Sequence, residues 1–161
     1  MRFDDLRPPH ANPHARSDRG LPDPETQGAF YAGVPAKRLF AWVIDVLVIG
    51  AMTLVSLPFT LFIGLFFLPL TFAVLSFMYR VVSLANWSGT PGMRLMAIEL
   101  RTARGARFDL GAAFLHTVGY AVSVAAVPLQ LISIVLMLTS ARAQGLSDHV
   151  LGSAAINRAA G

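Results

Sequence analysis

The 161-residue sequence has no cysteine, which excludes disulfides, thiolate metal sites and cysteine nucleophiles and leaves the redox compartment open. Charge is scarce as well: Asp, Glu, Lys and Arg make up 14% of the chain, against roughly a quarter in an ordinary soluble domain. No Ser-His-Asp order, metal-ligand cluster or phosphate-cradling loop is present, since Gly89 to Gly92 is too short and lacks the following lysine. The expectation is a protein that is not an enzyme and takes no cofactor or metal. An Asp148 and His149 hydrolase pair is disfavoured because adjacent residues on a strand point to opposite faces. His10 and His14 lie four apart in a proline-rich stretch that does not read as helix, so solvated tail is the default for both. The first 30 residues are not expected to be a signal peptide either, because the first apolar run starts near Leu39 rather than directly behind a short basic region.

What the chain does have is apolar residues, 55% of the total, which is a membrane composition. A spanning helix uses about 20 residues, so a chain of this length accommodates one compact helical domain and a tail. The formal charge of +4 sits beside apolar runs rather than in an aromatic-interleaved patch. The bilayer and its anionic head groups are therefore the expected partners, and nucleic acid is not.

Residues 1–30 mix five prolines with scattered charges and show no apolar periodicity, which reads as a disordered tail. Leu39 to Leu57 is long enough to span, at about 28 Å as a helix, and its single charge is Asp45. Pro58 ends that run; a second begins near Phe59 and extends through Arg80 toward Trp87, with Pro69 marking either a kink or the true helix start. Alternation of Arg94, Met96, Ile98 and Leu100 against Leu95, Ala97, Glu99 and Arg101 predicts a short β-hairpin turning near Arg104 and Gly105. Asp109 stands where a helix N-cap belongs, before an apolar run of about 31 residues. That run is either one long tilted helix or two shorter ones folded back near Pro128.

Basic residues discriminate between the two. Lys37, Arg38, Arg94, Arg101, Arg104 and Arg107 flank the apolar runs on one side, and the link at Pro58 has no Lys or Arg. By the positive-inside tendency the N-terminus and the arginine loop are cytoplasmic, and Arg142 and Arg158 place the C-terminus there too, which favours the broken helix. The predicted fold class is an all-α membrane protein: a small bundle of three or four membrane helices, the last run broken near Pro128, with a short cytoplasmic β-hairpin. Its predicted divisions are a tail at 1–30, a transmembrane domain at 31–157 and a C-terminal tail at 158–161.

A charged side chain near the bilayer centre costs ~2.5–3.5 kcal/mol and needs a partner, water or a protein interior. Asp45 lies six residues inside Leu39, about 9 Å deep, beyond the reach of its short side chain to bulk water. Arg38 is two turns earlier on the same helix face, too far for a direct pair. Arg80 lies seven residues inside the Trp87 end of the second run, at nearly the depth of Asp45, and is the expected ion-pair partner. That pair serves either transport or helix register. His116, near the start of the third run, is either a proton relay or a histidine snorkelling to the interface.

Three motifs follow one another in order: Arg38 with Asp45 in the first span; Gly89, Thr90, Pro91 and Gly92 followed by Met93 and Arg94 after the second; and Gln144 to Asp148 before a small-residue segment from Gly152 to Ile156. Over residues 31–157 the chain resembles the RDD family of bacterial integral membrane proteins, named for an arginine and two aspartates, which Arg38, Asp45 and Asp148 match. Family members often have His directly before the last aspartate, where this chain has Ser147 with His149 following, and an arginine is frequent at the position of His116. The resemblance implies a final strand returning to the cytoplasmic hairpin, with Asp148 facing the arginine loop and Arg94 as its partner, and a bacterial inner-membrane location. It also implies transport of a small cation or proton as a prior.

Two functions follow from these residues. One is a small ion or solute transporter, assembled as a homo-oligomer, with Asp45 as the ion or proton site near Arg38 and Arg80. The other is a non-enzymatic membrane assembly or accessory protein in which Arg38, Asp45, Arg80, Arg94 and Asp148 hold helices and hairpin together.

Overall fold

The computed structural model describes residues 20–59 and 63–158. Helix α1 spans Val34–Phe59 and α2 spans Leu68–Trp87, joined through a short 3-10 turn at Ile63–Leu65. At ~1.5 Å per residue these helices are about 39 and 30 Å long, and both are long and apolar enough to cross a membrane. Pro58 falls in the last turn of α1, where only the carbonyl one turn earlier loses its partner, so the helix closes there rather than before it. Pro69 lies in the first turn of α2, where its missing N–H costs nothing, and so marks a start rather than a kink.

After α2 the chain reverses through Ser88, whose left-handed φ of 55° caps the helix, into a five-residue helix α3, Pro91–Leu95. The predicted strand over 94–101 is therefore shorter than its alternation suggests: β1 is Ile98–Arg101. The turn near Gly105 is present, with the Thr102 N–H bonded to the Ala106 carbonyl. The strand that pairs with β1 is β2, Ala154–Asn157, antiparallel, with Ile98 opposite Asn157 and Arg101 opposite Ala154. This is the returning strand that the family resemblance implied.

Asp109 caps α4, Leu110–Ala125, through its carboxylate, which accepts from the Ala112 N–H at 2.7 Å. Helix α5, Val127–Thr139, begins with Pro128 in its first turn, and the pair turns by 117° at Ala126. The long apolar run is thus broken and folded back, and α6, Leu146–Leu151, packs on α4 and α5 and reaches α1 through the Arg38–Asp148 pair. Asp148 and His149 lie on this helix rather than on a strand.

The tightest packing is at this one end. Val34, Ala41, Leu84, Met93, Ile98, Leu100, Phe108 and Ala155 form a buried cluster where the helix ends meet the two-stranded sheet. The opposite halves of α1 and α2 present Leu54, Val55, Phe59, Leu70 and Val74 outward, more than half exposed, as lipid-facing helices do. Residues 1–19 of the expected tail lie outside the described residues. From Gly20 onward the chain is packed: Leu21 and Tyr31 are buried against Ala154 and Ile156, and the Tyr31 hydroxyl donates to the Pro22 carbonyl at 2.8 Å. The tail boundary expected at residue 30 therefore falls too late, because two well-separated apolar side chains anchor this segment to the sheet.

Candidate functional site

Asp45 sits on the α1 face that meets α3, 1% exposed. Its Oδ1 accepts from the Tyr79 hydroxyl at 2.7 Å and the Gly92 N–H at 2.9 Å, and its Oδ2 accepts from the Thr90 hydroxyl at 2.5 Å. The Gly-Thr-Pro-Gly loop supplies two of the three donors. Thr90 is the N-cap of α3 and accepts from the Met93 N–H at 3.2 Å while donating to Asp45. Pro91 starts α3, and Gly92 lets that start approach α1. A Cβ at Gly92 would lie 2.3 Å from the Ala41 carbonyl oxygen and 2.8 Å from Asp45 Oδ1. Gly89 has ordinary space, its nearest neighbour being 3.5 Å from such a Cβ.

The structure therefore replaces the expected Asp45–Arg80 ion pair. Consecutive helix residues point about 100° apart, so Tyr79 faces α1 and Arg80 turns toward α4. There the Arg80 guanidinium stacks on the Tyr120 ring, 4.1 Å from its centroid, and Nη2 donates to the Tyr120 hydroxyl at 3.3 Å. Arg80 Nε is buried and has no hydrogen-bond partner among the described residues. The stack contributes about 0.5–2 kcal/mol, less than the ~2.5–3.5 kcal/mol cost of placing the charge at membrane depth.

Asp148, wholly buried, is the second carboxylate hub. Its Oδ2 accepts from Arg38 Nη1 at 2.5 Å and from the Gly145 N–H at 2.9 Å, and its Oδ1 from His116 Nε2 at 2.9 Å and the Ser153 hydroxyl at 3.3 Å. Burial pushes this carboxyl up, but the Arg38 guanidinium, the His116 ring and the Gly145 N–H together hold it well below the usual carboxylate range. An ionised Asp148 only accepts, so His116 Nε2 carries the hydrogen. One carboxylate thus ties α1, α4 and α6 together. Arg38 does lie on the Asp45 side of α1, but it belongs to Asp148.

Two further expectations change. Arg94, expected opposite Asp148, instead lies over the Trp87 ring, 5.1 Å from its centroid, because α3 turns it outward. His116 does not snorkel; it is 7% exposed and packs edge-on against Phe108 at 5.6 Å. Sequence reasoning missed Tyr79 and Tyr120 altogether. Their signal was available: two hydroxyl-bearing aromatics in the apolar runs, one beside the buried acid and one facing the half-buried base.

A cavity of about 560 Å³ lies between α1, α2 and α4, with Trp42, Arg80, Thr117 and Tyr120 toward the sheet end and Phe72 and Val124 away from it. Trp42 Nε1 donates to the same Tyr120 hydroxyl at 2.9 Å. Among the described residues no group of three or more His, Cys, Asp and Glu is placed to hold a metal ion.

A family model described as the RDD family matches residues 32–152. No curated protein and no solved structure matches the chain.

Proposed function

The chain belongs to the RDD family of integral membrane proteins, and on that premise we propose that it is a non-enzymatic membrane assembly or accessory protein whose arginine and two aspartates are structural. The observation that supports this reading is that each oxygen of Asp45 and Asp148 already accepts at least one hydrogen bond from a side chain or main-chain N–H of this chain. A cation site needs several oxygens with lone pairs free for the ion, and Asp45 instead faces three donors. Asp45 then locks α3 and the sheet to the first span, and Asp148 locks α6 to the same helix.

The basic residues support a placement in a bacterial inner membrane with both chain ends cytoplasmic. Lys37, Arg38, Arg94, Arg101, Arg104, Arg107, Arg142 and Arg158 flank the sheet end, while residues 46–79 and 117–141 contain no Lys or Arg.

Reconstitution of Asp45→Asn in proteoliposomes tests the reading. The expected result is a lower melting temperature in detergent with sodium and proton flux equal to that of the wild-type chain. Loss of a measurable wild-type flux in a variant that still folds would instead support the competing reading of a small ion or solute transporter, working as a homo-oligomer. The observation in favour of that alternative is the cavity beside Arg80.

A further inference from the structure

Arg80 is a charge inside the second span that neither carboxylate hub uses. Its one hydrogen bond among the described residues goes to a neutral phenol, its Nε is buried without an acceptor, and it forms no ion pair there. A guanidinium carries five N–H donors and accepts nothing, so most of its capacity is open and calls for an anion. Tyr120 is placed to help. Its hydroxyl oxygen already accepts from Trp42 and Arg80, which leaves its own proton to donate to a ligand.

The cavity around these groups has two ends of different chemistry. α1 and α4 run away from the sheet and α2 runs toward it, so Trp42, Arg80 and Tyr120 share one level. Phe72 lies eight residues before Arg80, about 12 Å toward the apolar end, and Val124 four residues after Tyr120, about 6 Å the same way. Trp and Tyr concentrate toward the membrane–water interface, so Trp42 and Tyr120 mark the cationic end as the end of the cavity nearer the head groups. The cavity also opens sideways: Trp42, Val74, Met78 and Val124, all in its lining, are 44–55% exposed on helices that face lipid. Its volume lies within the ~300–1,000 Å³ range of sites that enclose small ligands.

We propose that this cleft binds an anionic phospholipid taken laterally from the bilayer, its phosphate held by Arg80 and the Tyr120 hydroxyl and one acyl chain lying along Phe72 and Val124. A basic pocket between membrane helices is the kind of site that selects lipid head groups by charge. The guanidinium fork matches a phosphate bidentately, whereas a zwitterionic head group brings its own cation to the same place and competes with Arg80.

The test uses the full chain, purified in mild detergent and exchanged into phosphatidylcholine vesicles doped with phosphatidylglycerol, followed by native mass spectrometry of retained lipid. The wild-type protein is expected to retain phosphatidylglycerol about tenfold over phosphatidylcholine, the scale of one charge-assisted hydrogen bond. Arg80→Gln is expected to abolish that preference, and Tyr120→Phe to weaken it. Ala121→Phe, which fills the cleft without altering charge, is expected to remove lipid binding and covers the case in which Arg80→Gln fails to fold. Equal retention of both lipids by the wild-type protein, or an unchanged preference in Arg80→Gln, overturns the proposal. So does inorganic phosphate competing at the same concentration as the lipid, which would assign the site to a free anion. A dimer that Ala121→Phe dissociates would show that a second copy covers the cleft, and likewise overturns it.

Discussion

Substituting Gly92 by alanine adds one methyl group at the point where α3 touches α1. The new Cβ would stand 2.3 Å from the Ala41 carbonyl oxygen and 3.0 Å from its carbon, where ordinary contact begins at 3.4 Å. The obstacle is main chain inside a 26-residue helix, which cannot rotate away as a flexible side chain would. Relief therefore requires α3 to retreat by roughly 1 Å. That motion pulls the Gly92 N–H off Asp45, where the bond is now 2.9 Å, and strains the Thr90 bond beside it. Overpacking costs about 1–3 kcal/mol, and losing a hydrogen bond to a buried charge about 1.5–3 kcal/mol. At ~2–4 °C per kcal/mol for a chain of this size, the melting temperature falls on the order of 10 °C. Fluorescence-detected size exclusion after heating in detergent measures it. Gly89→Ala is the internal control, since its Cβ would meet nothing closer than 3.5 Å. A Gly92→Ala protein that melts with the wild-type chain, or a Gly89→Ala protein that is equally damaged, refutes the assignment of the loop as a close-packed clasp on Asp45.

Removing either member of the Arg38–Asp148 pair strands the other charge and should cost about 3–5 kcal/mol. The double variant Arg38→Gln with Asp148→Asn should lose clearly less than the sum of the two single changes in the same thermal assay. Because the folded state lowers the Asp148 pKa, its contribution to stability is complete above the unfolded value of about 3.9 and is lost as pH falls further toward the folded value. Melting temperatures measured from pH 7 to pH 3 should therefore show a steeper fall at the acid end in the wild-type chain than in Asp148→Asn, with no difference in slope between pH 7 and pH 5 from this group. Reporter fusions at the two chain ends should report the same compartment, because the Lys37 ammonium donates to Asn157 at 2.6 Å and β2 lies beside the start of α1; opposite compartments would contradict the folded-back course of α4 and α5.

Much of the architecture was readable from local patterns because local physics decides it. Proline lacks an N–H and so sets the start of α2 and the break before α5, and Asp109 caps α4 because a short carboxylate reaches the first free amides. The polar site was readable in its membership but not in its pairing. The three family positions Arg38, Asp45 and Asp148 are all buried or partly buried hubs, and Thr90 and Gly92 of the motif loop touch Asp45 directly. The partners went elsewhere: Arg80 to Tyr120, Arg94 to Trp87, and Arg38 to Asp148. Sequence spacing measures depth along one helix, but a contact also depends on the azimuth of each face, which is set by how neighbouring helices rotate and cross.

By itself the sequence determined that this chain is an apolar helical protein of the membrane, where it breaks, and that one carboxylate must lie inside it, because hydrophobic length, proline placement and the cost of a buried charge are properties of contiguous residues. Only the tertiary structure decided the register in which β1 meets the returning strand, that each oxygen of both aspartates accepts from its own chain, and that Arg80 is left facing a cavity. Those outcomes depend on which groups are brought within about 3 Å across separate elements, and hydrogen-bond satisfaction is settled only when the elements are packed together.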